Sequence, residues 1–195
     1  TIGKFQEISP NVNFLVYEAY APNETLAGYG IDNAAQEDYL RDQGFKIYQG
    51  IYSIGSPTIG SLSRVFNAST DFFGNERRGI SGDGVVQKIF KKLGYKTHAI
   101  VAYYWIFRGD GSSYDFAYPG SDDVNMTSRE LLISAILTGE FRSDLIFDEF
   151  LYDEFITTKH NLFGDNLGKK GFYYIHSGYP GHSQDSGVCR LDEKE

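Results

Sequence analysis

The chain has 195 residues, of which 41% are hydrophobic and 23% charged, so it is long and apolar enough for one domain with a sizeable core. The formal net charge is −8 and the Lys/Arg pairs are isolated, which excludes a basic face that would bind nucleic acid. No run approaches the roughly 20 apolar residues of a spanning helix. The single cysteine, Cys189, excludes an intrachain disulfide, and the start at Thr1 without Met predicts a piece of a longer protein.

The first predicted elements alternate between strand and helix. Residues 12–17 form a short apolar run typical of a buried strand, and residues 45–53 predict the next strand. Between them, residues 33–43 predict a helix, and a further helix is expected from Pro57 to Phe66. The signals for the first helix are Asn33 as N-cap, Gln36 at the capping-box position and Gly44 as its end.

The same alternation continues along the second half of the chain. Residues 82–93 predict an amphipathic helix with one apolar face, formed by Val85, Val86, Ile89, Phe90 and Leu93. The remaining predicted elements are a strand at 97–107, a polar loop at 109–123, a capping-box helix at 127–136, a helix at 143–158 and a strand at 171–176.

This order predicts an α/β fold with a doubly wound, mostly parallel sheet and helices on both faces. In such sheets the chemistry lies at the carboxyl ends of the strands. Three polar features fall there: Glu18, the turn at 53–63, and the loop from His176 to His182. Their convergence predicts a functional site.

Glu18 closes the apolar run of the first predicted strand. Burying a carboxylate costs on the order of several kcal/mol unless a positive group compensates it. At this edge the carboxylate is well placed to bind a metal ion, or it is simply the first exposed residue after the strand.

Thr58 follows Pro57 at the predicted start of a helix. Free backbone N–H groups and the positive end of the helix dipole would stabilise an alkoxide there and bind phosphate or sulfate oxygens. A metal ion would lower the pKa of the hydroxyl further. Threonine is also a common helix cap, so a structural role is the alternative.

His176 and His182 lie in a loop rich in Gly, Ser and Pro after the last predicted strand. Histidine can donate to a phosphoryl oxygen or act as an acid or base, although the spacing of this pair is not a zinc signature. Hydrogen-bonded loop histidines are the alternative. His98, in a predicted strand, and His160, in a predicted polar turn, are interpreted as structural.

Two phosphate-binding or nucleophile motifs are excluded. The glycines of residues 79–84 follow no strand and lack the Lys-Ser/Thr of a phosphate-binding loop, and no Gly-x-Ser-x-Gly elbow occurs. An unrelated flavodoxin-like domain is therefore the least favoured interpretation.

Taken together, the motifs resemble the opening of sulfatase-type domains of the alkaline phosphatase superfamily. The resemblance rests on residues 10–21 (PNVNFLVYEAYA), 29–33 (YGIDN) and 40–45, and on the turn and loop around Thr58 and His182. The branch that it resembles contains phosphoethanolamine transferases and lipoteichoic acid synthases, which are membrane-anchored.

The resemblance implies a role for each of these residues. Glu18 would bind the catalytic metal, zinc or manganese, together with Thr58, which would also be the nucleophile. His176 and His182 would contact the transferred group. The reaction would move a phosphate or sulfate ester group from a phospholipid or other ester donor to an envelope glycan or lipid, or to water. The full-length protein would be periplasmic or extracytoplasmic and anchored in the inner membrane.

The sequence departs from the family at its metal site. The family completes that site with an Asp-His pair and usually another His, and this sequence contains no Asp-His dipeptide. We therefore expect residues 1–195 to be a single sulfatase-like domain without its C-terminal metal-ligand segment, binding metal weakly or not at all and inactive alone. We also expect an exposed apolar sheet edge that a second copy could cover in a homo-oligomer.

The alternative function is not enzymatic. A catalytically inactive module derived from the superfamily would use its 15 tyrosines to hold a glycan or a partner protein.

Overall fold

The computed structural model describes residues 10–18, 20–55, 58–71, 74, 76–101, 113–119, 149–165 and 169–178. They form an α/β structure with a four-stranded sheet, which confirms the predicted class. The strands are β1 (Val12–Tyr17), β2 (Lys96–Val101), β3 (Phe116–Tyr118) and β4 (Gly171–Ser177). The α-helices are α1 (Asn23–Gly28), α2 (Ala34–Asp42), α3 (Thr58–Phe66), α4 (Glu76–Arg78), α5 (Val85–Lys92) and α6 (Glu149–Asp165), with a π-helical turn at Gly79–Asp83 between α4 and α5.

All four strands run parallel, in the order β1-β4-β2-β3. Strand β4 therefore has a neighbour on each side, and all seven of its residues are buried. Parallel sheets of this kind are covered on both faces, so their central strands are apolar throughout. The arrangement is compatible with a doubly wound fold.

Helices cover the two faces of the sheet. Alternate residues of β4 point to opposite sides. Phe172 and Tyr174 pack with Leu62 and Phe66 of α3, while Tyr173 and Ile175 pack with side chains of α6. On the α6 side the core includes Phe155 and Leu162. Burial of these large side chains between helices and sheet is the main stabilising term of the fold.

The prediction of a strand at 45–53 is wrong. No strand forms there, and the aromatic side chains of this stretch are exposed, with Phe45 at 60%, Tyr48 at 70% and Tyr52 at 78%. An apolar, aromatic run predicts a strand only where a neighbouring strand pairs with it. The short helix α1 was not predicted.

Two further predictions need correction. The polar loop expected at 109–123 contains strand β3, which pairs with β2 through His98 and Phe116. His160 lies within α6 and not in a turn, because that helix continues to Asp165. His98 lies in β2 as predicted, with its ring stacked on Tyr173 at a centroid distance of 4.7 Å.

The helices predicted at 33–43, 57–66 and 82–93 are confirmed as α2, α3 and α5, but not in every contact. Asn33 makes no capping bond to the backbone of α2, since its amide donates to other side chains, and Ala34 N–H donates to Asp32 instead. In α5 the buried face is formed by Gln87 with Val86 and Phe90, while three apolar residues of the predicted face are exposed. These three are Val85 at 45%, Ile89 at 49% and Leu93 at 52%.

Several predictions fall outside the described residues. These are the helix at 127–136, the start of the helix at 143–158 and the end of the strand at 97–107. Within the part of the chain that the structure describes, no helix is both long and apolar enough to cross a bilayer.

Candidate functional site

Glu18 is fixed at the carboxyl edge of the sheet by the pairing of β1 with β4. Tyr17, the last residue of β1, pairs with Ser177 in the register of the two parallel strands. The backbone N–H of Glu18 then donates to the Ser177 carbonyl at 3.0 Å. The carboxylate therefore leaves the sheet beside the end of β4, and its side chain is only 14% exposed.

Thr58 begins α3, and its hydroxyl faces this carboxylate. Thr58 Oγ1 lies 3.3 Å from Oε1 and 3.5 Å from Oε2 of Glu18. These distances are longer than the roughly 2.5–3.0 Å of an ordinary O–H···O hydrogen bond. Two oxygens that bind one tetrahedral metal ion at about 2.0–2.2 Å each are about 3.3–3.6 Å apart. The Thr58–Glu18 spacing thus fits two ligands of a shared cation.

His176 lies behind Glu18 in the interior of the protein. Its ring is fully buried, and its Nε2 is 2.9 Å from Glu18 Oε2. On the other side, His176 Nδ1 is 3.0 Å from the hydroxyl of Tyr174, two residues earlier on the same face of β4. Glu18, His176 and Tyr174 thus form a continuous chain of hydrogen bonds from the cleft into the core.

The protonation of Tyr174 defines the direction of these bonds. Burial, with smaller contributions from Tyr114 and the Glu18 charge, raises the pKa of Tyr174 well above its ordinary value. The phenol therefore keeps its proton and can donate it to Nδ1 of His176. In the tautomer that accepts this bond, Nε2 carries the ring proton and donates to Glu18. This arrangement fixes the orientation of the carboxylate.

An open cleft of about 790 Å³ lies in front of Glu18 and Thr58. Its floor is largely apolar and comes from β1 and α3. The lining residues are Phe14, Val16, Tyr17, Glu18, Tyr52, Ser53, Ile54, Gly55, Thr58, Ser61, Leu62, Arg64, Val65, Ala68, Ser69 and Thr70. Ser53 and Ser61 are 2.6 Å apart, and Ser61 also donates to the Gly55 carbonyl at 2.6 Å, which holds the 53–55 turn against α3.

The structure brings together three of the four residues that the sequence predicted for the site. Glu18, Thr58 and His176 meet at the carboxyl edge of the sheet, whereas His182 lies outside the described residues. The side chain of His176 contacts Glu18 and does not line the cleft. Sequence reasoning missed Tyr174, because a tyrosine in an apolar strand is expected in the core; its only signal was the two-residue spacing from His176.

A metal site needs enough donor atoms at a suitable spacing. Glu18 and Thr58 supply two oxygen ligands of the right spacing for zinc or manganese. Among the described residues, no group of three or more His, Cys, Asp or Glu side chains is clustered as a complete metal site. Glu18 and Thr58 alone supply two oxygen donors, fewer than the roughly four ligands that such a site needs.

Comparisons with protein-family models, with curated proteins and with solved structures find no match to this chain.

Proposed function

We propose that this chain is the nucleophile-bearing part of a metal-dependent transferase or hydrolase of phosphate or sulfate esters, with Thr58 as the nucleophile. One observation carries the proposal: the hydroxyl at the start of α3 lies 3.3 Å from a carboxylate that ends a parallel strand. Two distant parts of the sequence, Glu18 and Thr58, thus meet in a cleft large enough for a small ester.

Each of these groups has a chemical task in the proposed reaction. Thr58 Oγ1 forms a bond to phosphorus or sulfur while the bond to the alcohol oxygen breaks. The hydroxyl proton of Thr58 passes to solvent, and the departing oxygen takes a proton from solvent and leaves as the alcohol. Free N–H groups in the first turn of α3 donate to the oxygens of the transferred group. Glu18, held by His176, would hold the divalent ion with Thr58, and that ion lowers the pKa of the hydroxyl when bound. Water or an acceptor hydroxyl then takes the group from Thr58.

The finer parts of the proposal rest on the resemblance to sulfatase-type domains. They are a doubly wound core like that of the alkaline phosphatase superfamily, an envelope glycan or lipid as acceptor, a phospholipid or other ester as donor, and a periplasmic or extracytoplasmic location with a membrane anchor. The all-parallel sheet and the site at its carboxyl edge support this assignment.

Ester turnover with metal added and removed tests the proposal. The full gene product is assayed on an aryl phosphate and an aryl sulfate with zinc or manganese, and after chelation. We expect Thr58→Ala to lower kcat by at least about 1,000-fold, since the nucleophile is lost, and Glu18→Gln by about 100-fold.

Ser61→Ala is the matched control. It removes a hydroxyl from the same face of α3, one turn beyond Thr58, and we expect a change within about threefold in kcat. Folded Thr58→Ala that turns over both esters at the wild-type rate would overturn the proposal.

A second candidate function is binding without catalysis. Four exposed tyrosines favour it. Tyr17, 55% exposed, and Tyr52, 78% exposed, line the cleft. Tyr20, 44% exposed, and Tyr48, 70% exposed, lie in the segment from residue 20 to residue 55. A glycan-binding module predicts that Tyr52→Ala weakens oligosaccharide binding, measured by calorimetry, whereas Thr58→Ala does not.

A further inference from the structure

The cleft has a second polar end that the proposed reaction does not use. Arg64 lines it six residues after Thr58 on α3, together with Ser69 and Thr70. The lining also contains the apolar residues Leu62, Val65 and Ala68, together with the hydroxyls of Ser53 and Ser61. A bound molecule that fills the cleft would thus meet polar groups at both ends as well as apolar groups.

Two backbone carbonyls hold the Arg64 guanidinium in place. Nη1 donates to Gly60 O at 2.8 Å and Nε donates to Thr70 O at 3.0 Å. These bonds use two of the roughly five N–H donors of a guanidinium and leave the others for a further acceptor. Because the group is already fixed, binding an anion would cost little additional side-chain entropy.

Arg64 forms no ion pair with a carboxylate of the described residues, where the ion pairs involve other cations. In the lining of the cleft, the charged side chains are Glu18 at one end and Arg64 at the other. The chain as a whole carries a formal charge of −8, so the positive charge of Arg64 is opposite in sign to the net charge of the protein.

The helix gives the spacing between the two ends. The backbone of Arg64 is six residues beyond Thr58, or about 9 Å along α3 at about 1.5 Å per residue, and its guanidinium reaches back to the carbonyl of Gly60, two residues or about 3 Å beyond Thr58. Along the helix axis the guanidinium therefore lies between about 3 and 9 Å from Thr58. A small substrate spans this distance through one ring or a short alkyl chain.

We propose that Arg64, with the hydroxyls of Ser69 and Thr70, forms an anion subsite that selects esters carrying a second acidic group. This inference rests on the proposed function and names its substrate class. The substrate has one phosphate or sulfate at Thr58, an apolar middle against Val65, and a carboxylate or second phosphate at Arg64. Arginine suits that role because its planar fork matches the two oxygens of such a group.

The test compares two probes that differ in one charge. The probes are 4-(carboxymethyl)phenyl phosphate and its neutral amide, 4-(carbamoylmethyl)phenyl phosphate, with their non-hydrolysable phosphonates for binding. We expect wild type to prefer the carboxylate by about tenfold in Kd and in KM, and the preference to shrink as salt is raised. Arg64→Gln should remove the preference for the carboxylate probe, and Arg64→Lys should keep part of it.

The controls separate the subsite from a structural role and from the proposed reaction. Arg41→Gln removes the same charge from exposed α2, outside the cleft, and should keep the preference. An Arg64→Gln variant that weakens both probes equally, or a wild type that binds both phosphonates equally, overturns the subsite. If the phosphonates show the preference but no ester is turned over, the subsite stands and the proposed function fails.

Discussion

The sheet around β4 and the segment from residue 20 to residue 55 are both rich in aromatic residues, yet they differ in how far their side chains are buried. All residues of β4 are buried, with large rings packed on both faces of the strand. In the 20–55 segment, which the structure describes throughout, no residue is buried, and Tyr29 is 79% exposed. Apolar composition therefore does not by itself bury a side chain, and strand pairing alone does not either, since Leu15 and Tyr17 of the paired strand β1 are 46% and 55% exposed. Burial requires packing against a face of the sheet.

The candidate site lies at the boundary between these two regions. Glu18 and Thr58 belong to the sheet and the helix packed on it, where the pairing of β1 with β4 fixes their positions. Tyr52 and Ser53 come from the exposed segment and form the opposite wall of the cleft. The sheet and α3 thus carry Glu18 and Thr58, while the exposed segment contributes Tyr52 and Ser53 to the lining of the cleft.

Core truncation gives the largest expected difference between the two regions. Phe66 is 1% exposed and packs edge-on against Phe14 and Tyr174, with ring centroids 5.6 and 4.9 Å away. We expect Phe66→Ala to lower the free energy of unfolding by about 3–5 kcal/mol. Tyr39→Ala, at a residue 63% exposed on α2, should change it by no more than about 0.5 kcal/mol. Urea denaturation measures both, and equal losses would contradict the contrast.

Two neighbouring tyrosines of β4 give a smaller difference. The Tyr174 hydroxyl donates to His176, whereas the buried Tyr173 hydroxyl has no hydrogen-bond partner among the described residues. Tyr174→Phe removes the hydrogen bond to Nδ1 of His176 and should cost about 1–3 kcal/mol in stability. Tyr173→Phe removes an unpaired polar group and should be neutral or stabilise by up to about 1 kcal/mol. Thermal unfolding of the two variants checks this order, and the reverse order would exclude the hydrogen-bond chain behind Glu18.

The pH dependence of stability gives the smallest effect. Burial tends to raise the pKa of Asp115, but bonds from the Thr97 backbone and hydroxyl and from Lys96 dominate and lower that pKa from 3.8 to about 2. The unfolded chain therefore takes up this proton first as pH falls, so the stabilisation is present above about pH 4 and is lost towards pH 2. Asp115→Asn should flatten the fall in the free energy of unfolding over that range.

Glu24 provides the comparison in the exposed segment. The Gly50 N–H, 2.9 Å from its carboxylate, lowers the pKa of Glu24, but the group is fully exposed. We expect Glu24→Gln to leave the acid dependence of unfolding almost unchanged. An equal flattening by Glu24→Gln would mean that the exposed segment unfolds together with the sheet.

The sequence predicted elements with a clear local signal, including helix α2, which buries no residue. Strands β1 and β4 follow from short apolar runs, and the rule for parallel sheets brings Glu18 and His176 to one edge. Thr58 was expected there at the end of a strand at 45–53 that does not form, and it reaches this edge at the start of α3 instead. The wrong strand at 45–53 has the same local pattern without a partner. Strand β3 was missed because three residues within a Gly/Ser/Asp loop carry no periodic signal.

The inner part of the site could not be predicted in the same way. Tyr174 resembles any core aromatic until the pairing of β4 with β1 brings His176 next to Glu18. In the sequence, Arg64 resembles any solvated charged residue on a helix. Its place in the cleft lining depends on tertiary structure, in which its guanidinium donates to the carbonyls of Gly60 and Thr70. Both roles depend on tertiary contacts that no local pattern encodes.

The central claim is that Thr58 is the nucleophile beside Glu18. The most direct measurement is the mass of the Thr58 peptide after the full gene product is mixed with an aryl phosphate and metal and quenched in acid. The account predicts a phosphoryl-sized mass gain on Thr58 that is absent from Thr58→Ala and retained in Ser61→Ala. An adduct on another residue, or turnover with no adduct on Thr58 at any quench time, would contradict it.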